Sequence, residues 1–148
     1  MTQSMEQKSI VLYADDDPED RELVADAFQP HEDHVEVITF PDGMTLLSYV
    51  RNLGPLDPAP CLIILDINMP MLNGRETLQQ LRQIERFASI PIVLFTTSSM
   101  PQDRDFAHRY KAGFITKPIE IVQLERITDE FISHCNDEIQ KKIRRKIM

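Results

Sequence analysis

The feature that most constrains this sequence is an alternation of short apolar runs with segments of helical spacing, repeated five times along 148 residues. The apolar runs are Ser9–Ala14, Val35–Phe40, Cys61–Leu65, Ile90–Phe95 and Gly113–Thr116. After each run, apolar residues recur every three or four positions, which is the period of an amphipathic helix. Alternating strands and helices predict a parallel sheet with right-handed crossovers and helices on both faces. A chain of this length is expected to form one such domain.

Proline and glycine residues mark where these elements begin and end. Asp17 followed by Pro18 predicts the start of the first helix, and Pro30 predicts its end. Pro101 is expected to open a short fourth helix that runs to Tyr110.

The third apolar run, within the stretch CLIILDINMPMLNG, places a carboxylate at the end of a buried strand. Four apolar residues, Leu62 to Leu65, suit a strand that is covered on both faces. Pro70 cannot donate a ladder hydrogen bond, so the strand should end near Asp66. Open α/β sheets bind their ligands at this end. Taken alone, the stretch is equally compatible with an aspartate that only caps a loop.

Polar residues also follow three of the other predicted strands. Asp15 and Asp16 end the first, Thr96 ends the fourth and Lys117 ends the fifth. Since parallel strands share one carboxyl edge, these side chains are expected to converge on Asp66. Each has an ordinary explanation by itself: acids often cap helices, and Ser and Thr are common in loops. Their joint placement at one edge favours a functional site.

The predicted cluster has the composition of a site for phosphoryl transfer. Three neighbouring carboxylates repel one another and call for a hard divalent cation, Mg²⁺ or Mn²⁺, with oxygen ligands. Lys117 adds a second positive group and Thr96 adds a hydroxyl donor. In such a site Asp66 would attack phosphorus while the metal and the ammonium neutralise charge on the phosphoryl oxygens.

Composition narrows the class of protein. Hydrophobic residues make up 42% and charged residues 27%, as in a globular protein with a core. No run of 18 apolar residues exists, and the start MTQSMEQK has no apolar signal region, so no membrane span or secretion is expected. Cys61 and Cys135 are interpreted as reduced core residues, which favours the cytoplasm. The net charge of −8 argues against direct DNA binding. The four histidines show no ligand spacing and are expected on the surface.

The ends of the chain are predicted to differ from its middle. Residues 1–8 are expected to be a flexible terminus, residues 9–135 the domain, and residues 136–148 a basic helical extension or tail. Residues 137–148 carry five basic and two acidic side chains, a net +3, so the other 136 residues carry −11. This segment is too short for an effector domain. An isoleucine stripe through it suggests a surface for a partner or a homodimer, and a solvated basic tail is the equal alternative.

Four motifs resemble those of a response-regulator receiver domain. They are, in order along the chain, LYADDDPED, LDINMPMLNG, PIVLFTTS and FITKP. The resemblance covers about Ser9 to Ser133. It implies a flavodoxin-like (βα)₅ fold with strand order 2-1-3-4-5. It also implies a signalling phosphoacceptor, rather than a conventional enzyme, that receives a phosphoryl group on Asp66. The donor would be a sensor histidine kinase or a phosphotransfer protein, and the output a downstream protein partner.

The same resemblance implies roles for individual residues. Asp15, Asp16 and Asp66 would bind the metal, together with the backbone carbonyl of Asn68. Thr96 and Lys117 would contact the phosphoryl group.

Further implied roles concern switching and tuning. Thr96 and Phe114 match the switch positions of the family. Asn68 and Ser98 match positions that tune autodephosphorylation. The segment KAGFIT between Tyr110 and Lys117 is shorter than usual, so a trimmed fourth helix or following loop is expected.

Two functions of other classes compete with this interpretation. A phosphohydrolase of the haloacid-dehalogenase type requires a second aspartate two residues after its nucleophile, and Asn68 stands there instead. A binding module that no longer depends on phosphorylation would retain the fold alone.

Overall fold

The computed structural model describes residues 8–117 and 123–133. In this part of the chain five strands alternate with five helices. The strands are β1 Ser9–Ala14, β2 Val35–Phe40, β3 Leu62–Leu65, β4 Ile92–Thr96 and β5 Gly113–Thr116. The helices are α1 Pro18–Ala27, α2 Gly43–Arg51, α3 Gly74–Gln83, α4 Pro101–Arg109 and α5 Leu124–Ser133.

All strands of the sheet are parallel and lie in the order β2-β1-β3-β4-β5. Ala14 at the end of β1 pairs with Leu65 at the end of β3, and Thr96 of β4 pairs with Thr116 of β5. The strand ends are therefore aligned, and the residues that follow them share one edge. This arrangement confirms the flavodoxin-like fold expected from the sequence.

Two apolar clusters cover the two faces of the sheet. One joins the sheet to α1 and α5, and the ring of Phe131 packs edge-on to Phe95 and is stacked with Phe28. The other joins the sheet to α2, α3 and α4 around Leu65, Leu78 and Leu94. All four residues of β3 are fully buried, as the continuous apolar run predicts for a central parallel strand.

Helix N-termini follow the capping signals in the sequence. The Asp17 side chain accepts a hydrogen bond from the Glu19 N–H at 2.9 Å. Asn73 and Glu76 form a reciprocal capping box at the start of α3. These caps mark the residues at which α1 and α3 begin. They therefore set the lengths of the loops that follow β1 and β3.

Two local expectations are wrong. β4 begins at Ile92 and not at Ile90, because Pro91 has no N–H and its carbonyl only accepts from Ile63 at 3.0 Å. His31 is buried and not on the surface, because the chain turns after α1 in a 3₁₀ helix over Gln29–His31, in which the His31 N–H donates to the Phe28 carbonyl at 2.9 Å. The sequence marks Pro30 as a helix stop but does not show where the chain goes next.

The expected domain ends lie partly outside the described residues. These include residues 1–7, Cys135, His134 and the basic segment 136–148. Within the described residues, no helix is both long and apolar enough to span a membrane.

Candidate functional site

The carboxyl edge of the sheet fixes the backbone of the candidate residues. The Asp66 N–H donates to the Ala14 carbonyl at 3.0 Å, and the Lys117 N–H donates to the Thr96 carbonyl at 2.8 Å. Both bonds extend the strand ladders by one residue beyond β3 and β5. The backbones of Asp66 and Lys117 are thus held by the sheet itself, and the loops start at the residues that follow them.

Three carboxylates meet at this edge. One oxygen from each of Asp15, Asp16 and Asp66 lies within 4.8 Å of the others. Asp15 and Asp66 are buried, and Asp16 is exposed. Oxygen donors this close, with one side open to solvent, fit a hard divalent cation such as Mg²⁺ or Mn²⁺ that keeps several waters. The predicted convergence of the three acids is therefore present.

Lys117 is the cation that pairs with these carboxylates. Its Nζ lies 2.8 Å from Oδ2 of Asp15, 2.7 Å from Oδ2 of Asp20 and 3.6 Å from Oδ2 of Asp66. The first two distances are hydrogen bonds and the third is an ion pair beyond hydrogen-bonding distance. Asp20 was not predicted. It lies in the first turn of α1, and the sequence indicates it only as the last of five acids between residues 15 and 20.

Burial and charge shift the proton equilibria of this cluster. Burial, followed by the negative charge of Asp15, raises the pKa of Asp66 from 3.8 to about 7, although Lys117 opposes the shift. Burial alone would lower the pKa of Lys117, but its hydrogen bonds to Asp15 and Asp20 hold the pKa above the ordinary value. Lys117 is therefore a permanent cation, and Asp66 is a carboxylate whose ionised form needs a counter-charge.

A tyrosine completes the environment of Asp15. The hydroxyl of the fully buried Tyr13 donates to Oδ2 of Asp15, while the Asp17 N–H donates to Oδ1 at 3.0 Å. Burial and the neighbouring Asp15 charge raise the pKa of Tyr13, which keeps it protonated as a donor. Tyr13 was also missed by the sequence analysis. The sequence indicates its contact with Asp15 only by spacing, because residues two apart on a strand face the same side of the sheet.

Thr96 and Ser98 begin a hydrogen-bonded chain that leads away from the edge. Thr96 is fully buried, and its Oγ1 accepts from the Ser98 N–H at 3.2 Å. The Ser98 hydroxyl donates to Oδ2 of Asp103 at 2.6 Å, and Asp103 also pairs with Arg75 at 3.3 Å. The loop after β4 is thereby tied to α4 and α3. Asp103 and Arg75 have no recognisable signal in the sequence, since both are ordinary helix-surface residue types.

Phe114 lies on β5, and Asn68 lies in the loop that follows β3. Phe114 is half-buried, its backbone pairs with Leu94, and the Arg104 guanidinium lies 4.7 Å above its ring centre. By strand parity Phe114 is on the same face as Thr96. Asn68 follows Asp66 by two residues, and its side chain is exposed. The metal-binding role of its carbonyl and the tuning roles of Asn68 and Ser98 stay predictions.

The chain is similar to known receiver domains in both sequence and structure. A family model described as the response regulator receiver domain matches residues 11–129. Response regulator Rcp1 of Synechocystis sp. is 31% identical over 96 residues, which are 64% of this chain and 65% of Rcp1. Response regulator Rre1 of Synechocystis sp. is 32% identical over 126 residues, covering 83% of this chain and 51% of Rre1. Both matches thus span less than two thirds of the relative.

Solved structures agree with the sequence matches. The phosphorylated cyanobacterial phytochrome response regulator RcpA superposes with a TM-score of 0.77 and 26% identity, covering 88% of this chain and 98% of RcpA. The Mn²⁺-bound form of Rcp1 gives a TM-score of 0.74 at 26% identity, covering 84% of this chain and 92% of that one.

Proposed function

Because this chain belongs to the response regulator receiver domain family, we propose that it accepts a phosphoryl group on Asp66 and signals to a protein partner. The donor is a sensor histidine kinase or a phosphotransfer protein. The observation that carries this proposal is the meeting of Asp66 with Asp15, Asp16 and the Lys117 ammonium at one sheet edge.

The chemistry follows from the charges at that edge. A carboxylate oxygen of Asp66 forms a bond to phosphorus as the bond from phosphorus to the donor nitrogen breaks, and the donor imidazole keeps the electron pair. The Lys117 ammonium and the Thr96 hydroxyl donate to phosphoryl oxygens and offset their charge. Mg²⁺ or Mn²⁺, held by Asp15, Asp16, Asp66 and the carbonyl of Asn68, supplies further neutralisation when bound.

The switch that we propose links Thr96 to Phe114. A phosphoryl group brings roughly −1.5 to −2 charges and three acceptor oxygens into the pocket. The Thr96 hydroxyl turns towards one of these oxygens, and Phe114 fills the space that it leaves on the same face of the sheet. The added charge thus shifts the equilibrium between two conformations of Thr96 and Phe114, and the surface near α4 and α5 changes with it.

Asn68 and Ser98 are the residues proposed to set how long the phosphoryl group persists. The exposed Asn68 side chain lies at the open side of the site. The Ser98 hydroxyl is held by Asp103, so its freedom to contact an incoming water depends on that bond.

The protein is proposed to act as a phosphoacceptor in the cytoplasm and not as a conventional enzyme, without direct contact to DNA. A phosphohydrolase remains the alternative of another class, but it needs a second acid where Asn68 stands. A homodimer through the last helix, and the boundary of the domain at residue 135, are proposals that rest on the sequence of residues outside the described part.

Incubation with Mg²⁺ and a small phosphodonor such as acetyl phosphate tests the proposal. We expect one acid-stable, base-labile phosphoryl group per chain, lost in Asp66→Asn and kept in Asp26→Asn, which changes an exposed acid of α1. Continuous turnover of many phosphoesters would support the hydrolase instead. No incorporation at all would favour a binding module and contradict the proposal.

A further inference from the structure

Asp20 is an acid of the site that the proposed phosphoryl chemistry does not use. Its Oδ2 lies 2.7 Å from the Lys117 Nζ, closer than Asp66 at 3.6 Å. The Lys117 side chain is only 10% exposed and that of Asp20 is 29% exposed. The bond joins the first turn of α1 to the end of β5, across residues far apart in sequence.

This contact decides where the ammonium lies. An ammonium has three N–H donors, and the bonds to Asp15 and Asp20 occupy two of them. With these two bonds made, the Nζ lies beyond hydrogen-bonding distance of Asp66. Asp15 is fully buried and also accepts from Tyr13 and Asp17, so its position is fixed. Asp20 is thus the more adjustable of the two partners.

Asp20 also changes the charge of the pocket. Without metal, the carboxylates of Asp15, Asp20 and Asp66 lie around the Lys117 ammonium, and Asp16 lies beside Asp15 and Asp66. An added phosphoryl group increases the negative charge at Asp66, and Asp20 repels it while competing for the same cation.

We propose that Asp20 is a positioning residue that competes with the phosphoryl group for Lys117 and thereby weakens retention of that group on Asp66. This inference rests on the proposed phosphoacceptor function and deepens it. In the unmodified chain Lys117 is shared between Asp15 and Asp20. In the phosphorylated chain the ammonium moves towards the phosphoryl oxygens, and the bond to Asp20 lengthens or breaks.

A purely structural role for Asp20 makes a different prediction. An acid in the first turn of a helix is stabilised by the helix dipole, and Glu19 lies in the same turn. If Asp20 only stabilised the helix, replacing Asp20 or Glu19 would change the affinity for Mg²⁺ and for beryllofluoride in the same way. A loss of stability would weaken the binding of both ligands.

The test measures two ligands of opposite charge on the folded chain: Mg²⁺ alone, and beryllofluoride in saturating Mg²⁺ as a mimic of the phosphoryl group. For Asp20→Asn we expect beryllofluoride to bind roughly three- to tenfold more tightly, because the amide oxygen that replaces the carboxylate carries no charge and competes less strongly for Lys117. Mg²⁺ should bind more weakly, because one nearby negative charge is gone and Lys117 is free to approach Asp66. Glu19→Gln removes an exposed, screened acid of the same turn and should change neither affinity more than about twofold.

Tighter binding of beryllofluoride together with weaker binding of Mg²⁺ is a result that destabilisation of the fold alone does not produce. Equal behaviour of Asp20→Asn and Glu19→Gln, or weaker binding of both ligands by Asp20→Asn, would overturn the role of Asp20 and leave the phosphoacceptor proposal standing. A wild-type chain that binds no beryllofluoride in Mg²⁺ would overturn both.

Discussion

The Asp66 carboxyl group is buried next to two other carboxylates, and its free energy therefore depends on pH and on metal. Its pKa is raised from 3.8 to about 7 by burial and by Asp15. A raised pKa means that the folded chain binds this proton more tightly than the unfolded chain. The contribution of Asp66 to stability is present below about pH 4 and is lost as the pH rises towards about 7.

Asp66→Asn should therefore become relatively more stable as the pH rises. In a chelating buffer, its advantage over wild type in the free energy of unfolding should grow by roughly 1–3 kcal/mol between about pH 5 and about pH 8. Urea denaturation at several pH values measures this difference. Saturating Mg²⁺ should reduce the advantage, because the cation stabilises the carboxylate. An advantage that is the same at every pH would show that Asp66 has no raised pKa.

Tyr13→Phe tests the donor to Asp15. The variant keeps the ring in the core but removes the hydroxyl that donates to a fully buried carboxylate. We expect a loss of about 1–3 kcal/mol in the free energy of unfolding. Tyr49→Phe is the matched control, since this half-buried tyrosine packs against Phe40 by its ring. Equal, small losses in the two variants would contradict a structural role for the Tyr13 hydroxyl.

Some site residues were predictable from the sequence and others were not, for a physical reason. Asp15, Asp66 and Lys117 directly follow strands, so the shared edge of a parallel sheet brings them together. Asp20 lies on a helix, and its contact with Lys117 depends on how α1 is rotated against the sheet. Asp103 depends in the same way on α4, and single-sequence patterns do not give that rotation.

Among the elements, α3 approaches the backbone of the site very closely. A Cβ on Gly74 would lie 2.2 Å from the Asp66 carbonyl oxygen and 2.9 Å from the Ile67 Cα. The Gly74 N–H also donates to the Ile67 carbonyl at 2.9 Å. Glycine at this position thus lets the start of α3 pack directly against the segment that holds the Asp66 carboxylate.

Gly74→Ala should displace this segment, because the obstructing atoms are backbone. We expect a loss of about 1–3 kcal/mol in stability and slower phosphorylation of Asp66. Thermal unfolding and incorporation of phosphate from a small phosphodonor are the measurements. Gly54→Ala is the control, since its nearest neighbour is the flexible Asp57 side chain at 3.3 Å. If Gly74→Ala matched Gly54→Ala in both measurements, the close approach would be irrelevant to the site.

The end of α4 offers a change in the stabilising direction. Lys111 has a φ of 57°, and Ala112 and Lys111 donate to the carbonyls of Ala107 and His108, as in a Schellman motif. Lys111→Gly removes the strain of a left-handed backbone and should stabilise the fold by roughly 0.5–1 kcal/mol. Arg109→Gly, two residues earlier at the last helical position of α4, should instead destabilise it by about 1 kcal/mol. Denaturant unfolding curves measure both effects. Destabilisation of the chain by both substitutions would contradict the prediction for Lys111→Gly.

The boundaries of the helices and strands were less predictable than their existence. The existence of all five strands followed from apolar runs, and the start of β4 was misplaced because Pro91 interrupts the ladder. The short α4 was expected, but a lysine at its left-handed end was not, since glycine is the usual residue there.

In the whole molecule, the sheet brings four separate segments, those at the ends of β1, β3, β4 and β5, into one site. Its edge gathers residues from 15 to 117, and the order β2-β1-β3-β4-β5 places β1 and β3 side by side. The alternation of strands and helices was enough to predict the shared edge, whereas the strand order was implied by the family resemblance. The basic segment 136–148 could not be interpreted in the same way, because its isoleucine stripe suits a partner surface and a solvated tail equally well.

The central claim is that Asp66 is the residue that receives phosphate, and chemical trapping tests it most directly. The protein is incubated with a small phosphodonor and Mg²⁺, reduced with borohydride, which converts an aspartyl phosphate to homoserine, and mapped by mass spectrometry. The account predicts homoserine at position 66 only, with none when Mg²⁺ is chelated. Homoserine at position 15 or 16 in place of position 66 would contradict the assignment of Asp66, and homoserine at position 66 regardless of Mg²⁺ would contradict the role of the metal.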